Sequence, residues 1–166
     1  MSTEHAEIRE AVARLCADFP GRYWRDKDRA RAYPTEFVAA LSAVGYLAVL
    51  IPEEYGGAGL GVAAASAVLE EIHKSGCNGA ACHAQMYTMG TLLKHGSEAQ
   101  KHAYLPGIAD GKLRLQAFGV TEPTSGTDTT RIRTTAVRDG DVYRISGQKV
   151  FISRTDNPKI SPPFRV

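Results

Sequence analysis

No apolar run in this chain approaches the ~20 residues that a bilayer crossing needs, and no membrane span is expected. Met1 to Glu10 holds Glu4, His5, Glu7 and Glu10 in place of the basic-then-apolar order of a secretory leader, so the chain reads as cytoplasmic. Neither sign of charge dominates, with 20 Lys and Arg against 18 Asp and Glu. Even the densest basic stretch, Arg22 to Arg31, is interrupted by Asp26 and Asp28, so nothing points to nucleic acid or an anionic membrane as a partner. Cysteine is sparse as well. Cys16, Cys77 and Cys82 are odd in number and lie in Ala-rich helical context, which fits reduced, buried thiols.

What is present suffices for one domain, or one and a piece. A chain of 166 residues buries roughly 70% of its unfolded surface on folding. A first helix is expected from Ser2 or Thr3, with Ile8, Val12, Leu15 and Phe19 on one face and Pro20-Gly21 as its stop. Arg22 to Tyr33 reads as a polar connection, followed by a helix from Pro34 to Gly45. The stretch PEEYGGAGLG, Pro52 to Gly61, tempts a nucleotide-fingerprint reading, but Gly57 and Gly59 would need a third glycine where Val62 stands. A turn leading into a helix is expected instead, and Val62 to Ser75 supplies that helix. Glu70 and Glu71 lie about 100° apart on it, too divergent for an acid/base pair, and read as surface or capping contacts.

His73, Cys77, Cys82 and His83 are zinc-ligand types. Their spacing among Ala, Met and Gly suits packed helix better than a closed metal site, so no metal is expected. Met86, Met89 and Leu93 mark the next helix, ending near His95. Ser97 and Gln100 then form a capping box that opens a fifth, closed by Asp110-Gly111. From Leu113 the period changes to two, predicting a strand through Leu115 and Ala117, a second through Thr134 to Val137, and a third from Val142 to Ile152 with a bend at Gly147. Asp139-Gly140-Asp141 is the hairpin signal between the last two. Between the first and second strands, Phe118 to Asp128 (FGVTEPTSGTD) offers hydroxyls and approachable backbone amides. It suits a phosphate-bearing cofactor or is simply a polar turn.

Five stretches together settle on a resemblance: YPTEF at Tyr33, PEEYGG at Pro52, HGSEAQKHAYLPGIADG at His95, FGVTEPTSGTD at Phe118 and DGDVYRISGQKVFIS at Asp139. They resemble the N-terminal and early middle parts of the flavin-dependent acyl-CoA dehydrogenases. The resemblance implies an α+β architecture: an all-α helical domain over residues 1–112, the first strands of a β-barrel domain over 113–154, and an irregular tail over 155–166. It implies FAD as cofactor, an acyl-CoA thioester as substrate, and an electron-transfer flavoprotein or similar acceptor. A homo-oligomer, tetrameric in relatives, or a complementing C-terminal chain is implied as partner.

By the same resemblance Phe118, Val120 and Thr121 contact the flavin edge, and Gly126 and Thr127 approach the pyrophosphate, with Thr127 also beside the thioester. Phe151, Ile152 and Ser153 form a second flavin segment, an aromatic covering one ring face and a hydroxyl reaching the reactive nitrogen. Phe118, Thr127, Phe151 and Ser153 each keep the aromatic or hydroxyl type where Tyr, Ser, Trp and Thr are commoner in relatives. Arg154 departs further, and either reaches a phosphate or caps the strand. The family's carboxylate base lies in a C-terminal helical domain, which would fall beyond Val166. No catalytic residue is therefore expected here, and Glu122 reads as a structural hydrogen-bonding residue. The closing TDNPKISPPFRV, ending at Val166, reads as a truncated or frame-shifted end, which implies little or no activity alone. The same architecture also serves flavin oxidases and monooxygenases.

Overall fold

Apolar spacing accounts for most of the helices of the computed structural model, which describes residues 5–153. Helix α1 (Ala6–Ala17) buries Val12 and Cys16, and the start expected at Ser2 or Thr3 lies outside the described residues. Helix α2 (Gly21–Arg29) occupies the stretch expected as a connection. Its sequence is polar, and Tyr23 and Trp24 are its only large apolar side chains, too few to mark a helix by apolar spacing, so tertiary contact decides it. Tyr23 and Trp24 pack edge-on against Phe19 and Phe37 at centroid distances near 5 Å, and the Trp24 indole donates to the Phe19 carbonyl at 3.0 Å. Helix α1 ends before Pro20, as expected, and Pro20 is also the residue before α2, where its missing N–H costs nothing.

Helix α3 (Thr35–Ala43) buries Phe37, Val38 and Leu41, with Gly45 left-handed just beyond its end. Residues 46–51 form a tight, mostly buried segment opening on a 3₁₀ turn at Tyr46–Ala48. The glycine-rich stretch folds back over that segment. Gly59 N–H donates to Ile51 at 2.8 Å and Leu60 N–H to Val49 at 2.8 Å before α4 (Val62–Lys74) begins. It is therefore the helix-leading turn its sequence suggested. Helix α4 buries Val68 and Ile72. Glu70 pairs with Arg9 at the surface, whereas Glu71 is buried, with Lys74 reaching it at 3.5 Å, and so is not the surface contact expected.

Helices α5 (Ala80–His95) and α6 (Glu98–Ala109) complete the bundle. The α6 start is a full capping box, Gln100 N–H donating to the Ser97 hydroxyl and Ser97 N–H to the Gln100 side chain. The strand expected over Leu113 to Ala117 does not form, and its fully buried residue is the polar Gln116. Gln116 is 0% exposed while Leu113 and Leu115 are half-buried. Three hydrogen bonds explain this. Tyr33 donates to the Gln116 side-chain oxygen Oε1 at 2.7 Å, the Gln116 side-chain amide donates to Gln85 Oε1 at 3.3 Å, and the Thr88 hydroxyl donates to the Leu115 backbone carbonyl. A polar side chain whose partners are built in can be buried more completely than its apolar neighbours.

The described chain divides into two compact units between Gln116 and Ala117. In the second unit β1 (Thr135–Asp139) and β2 (Val142–Ser146) pair antiparallel, Thr135 opposite Ser146 and Asp139 opposite Val142, around Gly140-Asp141. Gly140 takes φ 62° at the first turn position, as the hairpin signal required. The third expected strand ends at Ser146, not at Ile152, because the chain leaves the ladder at Gly147. The architecture is thus a helical N-terminal domain with a small two-stranded sheet.

Candidate functional site

Pro123 and Thr124 occupy the centre of a turn closed by Glu122 and Ser125, whose backbones bond in both directions at 2.8 and 3.2 Å. Proline pre-sets the first central position of such a turn. The Ser125 hydroxyl donates to the Asp128 carbonyl at 2.6 Å, and the Asp128 carboxylate accepts the Thr130 N–H, capping a 3₁₀ turn at Thr129–Arg131. Between these anchors Gly126 and Thr127 are exposed, and a β-carbon added at Gly126 would meet nothing within 4 Å. The loop backbone there is open to an approaching group.

Glu122 is 5% exposed, and its carboxylate takes four donors. They are the Thr134 hydroxyl, Arg133 N–H at 2.7 Å, Thr134 N–H at 2.9 Å and the Lys149 ammonium at 3.0 Å. The Thr134 hydroxyl first, then the Arg133 amide, hold its pKa down to about 2 against the opposing effect of burial. Lys149 donates also to the Val120 carbonyl at 3.0 Å, and the next residue, Val150, donates its N–H to Thr121 at 2.9 Å.

These bonds bring the two sequence-predicted segments side by side in one unit. Phe118, Val120 and Thr121 lie on one, and Phe151, Ile152 and Ser153 follow directly from Val150 on the other. Gly126 and Thr127 sit beyond the turn. Phe151 is 93% exposed in the left-handed region at φ 59°, Phe118 is half exposed, and Ile152 is half-buried. Arg154 and the tail through Val166, with the irregular end expected there, lie outside the described residues. Hydroxyls, open backbone amides and exposed aromatic faces on adjoining segments are the donor set and stacking surface a flavin dinucleotide requires, so the residues fit the group that the resemblance implies. Sequence reasoning missed Lys149, since nothing local marks a lysine whose partner lies 27 residues away.

The cysteines and histidines do not form a comparable centre. Cys77 and Cys82 are buried while His73 and His83 are exposed. Among the described residues no group of three or more His, Cys, Asp or Glu is placed to hold a metal ion. Burial pushes the Cys82 thiol up to about 12, and burial followed by the nearby Cys77 does the same to Cys16. Also among the described residues, no helix is long and apolar enough to cross a membrane.

Compared with known proteins, residues 2–112 match the family model described as acyl-CoA dehydrogenase, N-terminal domain. The acyl-CoA dehydrogenase FadE12 of Mycobacterium tuberculosis is 42% identical over 156 residues, 93% of this chain and 40% of that protein. Among solved structures, glutaryl-coenzyme A dehydrogenase in its glutaryl-CoA complex is 30% identical with a TM-score of 0.79, over 92% of this chain and 40% of that one. The ChsE4–ChsE5 complex from Mycobacterium tuberculosis gives 29% identity and a TM-score of 0.69, over 90% of this chain and 38% of that one. The chain spans about two fifths of the length of these relatives.

Proposed function

Because the chain belongs to the acyl-CoA dehydrogenase family, we propose that it contributes the N-terminal helical domain and the flavin-facing turn of an FAD-dependent enzyme. The reaction is α,β-dehydrogenation of an acyl-CoA thioester in the cytoplasm. In this reading residues 1–112 are the helical domain and 113–154 the opening of the middle β-domain. The observation that carries it is the Val150 to Thr121 hydrogen bond, which joins the two segments proposed to face the flavin.

FAD, when bound, supplies the acceptor for the hydride that leaves the β-carbon. Thr121 and the amides around Val120 would hold the ring edge by hydrogen bonds, and donors fixed in advance would stabilise negative charge there without reorganising water. Phe118 and Phe151 would shield the ring, with Ile152 beside it, and the Ser153 hydroxyl would donate to its reactive edge. Gly126 and Thr127 would receive the pyrophosphate, with Thr127 also beside the thioester.

Glu122 is not the base that removes the α-proton. A carboxylate held at about 2 by four donors has too little basicity for that task. The base is assigned to the C-terminal helical domain of the family. The intact enzyme passes electrons to an electron-transfer flavoprotein or similar acceptor and assembles as a homo-oligomer. In a second reading a separately encoded chain supplies the C-terminal domain, for which the ChsE4–ChsE5 structure offers only the precedent of a relative in complex.

The test is gel filtration of the purified chain with FAD, followed by its visible spectrum and an acyl-CoA assay with an artificial electron acceptor. Flavin co-eluting near stoichiometry, without turnover, is expected. Loss of flavin on the column sinks the cofactor site, and turnover by the isolated chain sinks the assignment of the base elsewhere. Activity that appears only on adding a C-terminal chain selects the second reading.

A further inference from the structure

We infer that Glu122 and Lys149 are a positioning pair that splices the two flavin-facing segments into one surface. The inference rests on the flavin reading above and adds two residues to it that do not themselves face the cofactor.

Ladder pairing ends at Thr135 and Ser146, so strand hydrogen bonds do not set where residues 147–153 run. Lys149 does. Its ammonium is shared between the Val120 carbonyl and the Glu122 carboxylate, both at 3.0 Å, and the adjoining Val150 N–H reaches Thr121 at 2.9 Å. Three consecutive residues, 120–122, are thereby stitched to two, 149 and 150. Glu122 extends the stitch to the approach to β1 through Arg133 and Thr134.

Gly147 makes this path possible. A β-carbon there would lie 2.8 Å from the Thr134 β-carbon and 2.9 Å from its α-carbon, so only a bare backbone can turn against Thr134 and deliver Lys149 to Glu122. Phe151 follows two residues later. A bulky residue held left-handed at φ 59° needs its flanks fixed by the surrounding structure, and Lys149 and Val150 fix one flank. A buried ion pair adds little net stability against apolar replacements and is better suited to defining register. Register is what this stretch lacks once it leaves the ladder.

The experiment compares the full wild-type chain with Lys149→Met, Lys149→Arg and Glu122→Gln. Gly140→Val, which strains the hairpin turn away from the pair, serves as a stability control in the same unit. FAD affinity is read by flavin fluorescence anisotropy, and amide exchange at Val150 and Glu122 is read without FAD. Lys149→Met and Glu122→Gln should each weaken FAD by about tenfold or more, the scale of one charge-assisted hydrogen bond, and speed exchange at Val150. Lys149→Arg should restore most of both, and Gly140→Val should leave FAD affinity near wild type. Unchanged affinity and unchanged Val150 exchange in Lys149→Met and Glu122→Gln overturn the pairing. An equal loss of FAD in Gly140→Val reduces the pair to general stability and overturns its positioning role. If wild type takes no FAD, the flavin reading fails separately, and Val150 exchange alone decides whether the pair holds the segments.

Discussion

At the scale of single residues, the chain depends on close approaches and on buried charge. A β-carbon on Gly57 would lie 2.6 Å from the Ile51 carbonyl carbon, inside backbone that cannot yield without moving the whole 46–60 fold-back. Gly57→Ala should therefore cost about 1–3 kcal/mol, the range for forced overpacking, measured by urea unfolding at 222 nm. The Glu122 carboxyl, ordinarily near 4.5, is held at about 2 in the folded chain. Between those values the unfolded chain binds the extra proton, so stability rises with pH there. The contribution is complete above the unfolded value and is lost as pH falls toward the folded one. Glu98 and Asp110, lowered by Lys101 and Lys112, act in the same direction. Carbon-detected NMR should place the Glu122 midpoint near 2, and Lys149→Met should move it upward. The thiols of Cys16 and Cys82, buried and pushed up to about 12, should resist alkylation at pH 8 until the chain is unfolded.

At the scale of elements, the helices differ in what makes them. Helix α6 is announced locally by its capping box, and Ser97→Ala should cost about 1 kcal/mol of stability, read by chemical denaturation. Helix α2 has no such local signature and hangs on aromatic contacts. Trp24→Ala removes the edge-on contact to Phe37 at 4.9 Å and the indole hydrogen bond to Phe19. It should cost about 3 kcal/mol, the lower end for a large aromatic because Trp24 is only partly buried. Circular dichroism is the appropriate probe, since Trp24 is the chain's single tryptophan. The hairpin is well specified in register by Gly140, yet every residue of both strands is exposed.

At the scale of the molecule, the two units differ in how much each buries. The first holds one continuous core drawn from all its helices except α2 and from the 46–51 segment, with α2 contributing partly buried aromatics. The second has a two-stranded ladder with no covering layer among its own described residues, an arrangement that is marginal in water. Native-state hydrogen exchange should show amides of α3, α4 and α5 opening only near the global limit, while those of the hairpin exchange by local opening. Protection of the hairpin equal to that of α4 would contradict this difference.

The sequence by itself determined the elements whose cause is local. Apolar residues at helical spacing, the Ser97–Gln100 box and the Asp139-Gly140-Asp141 turn each act within a few residues, and the family followed from motifs that are contiguous. Tertiary structure alone decided three things. Polar α2 became a helix because Tyr23 and Trp24 found Phe19 and Phe37, and Gln116 went inside because Tyr33 and Gln85 were there to pair with it. The candidate site's two segments adjoin because Lys149 reaches Glu122. In each case the deciding partner is remote in sequence or invisible to periodicity, and a hydrogen bond or ring contact between distant residues has no local pattern by which it can be read.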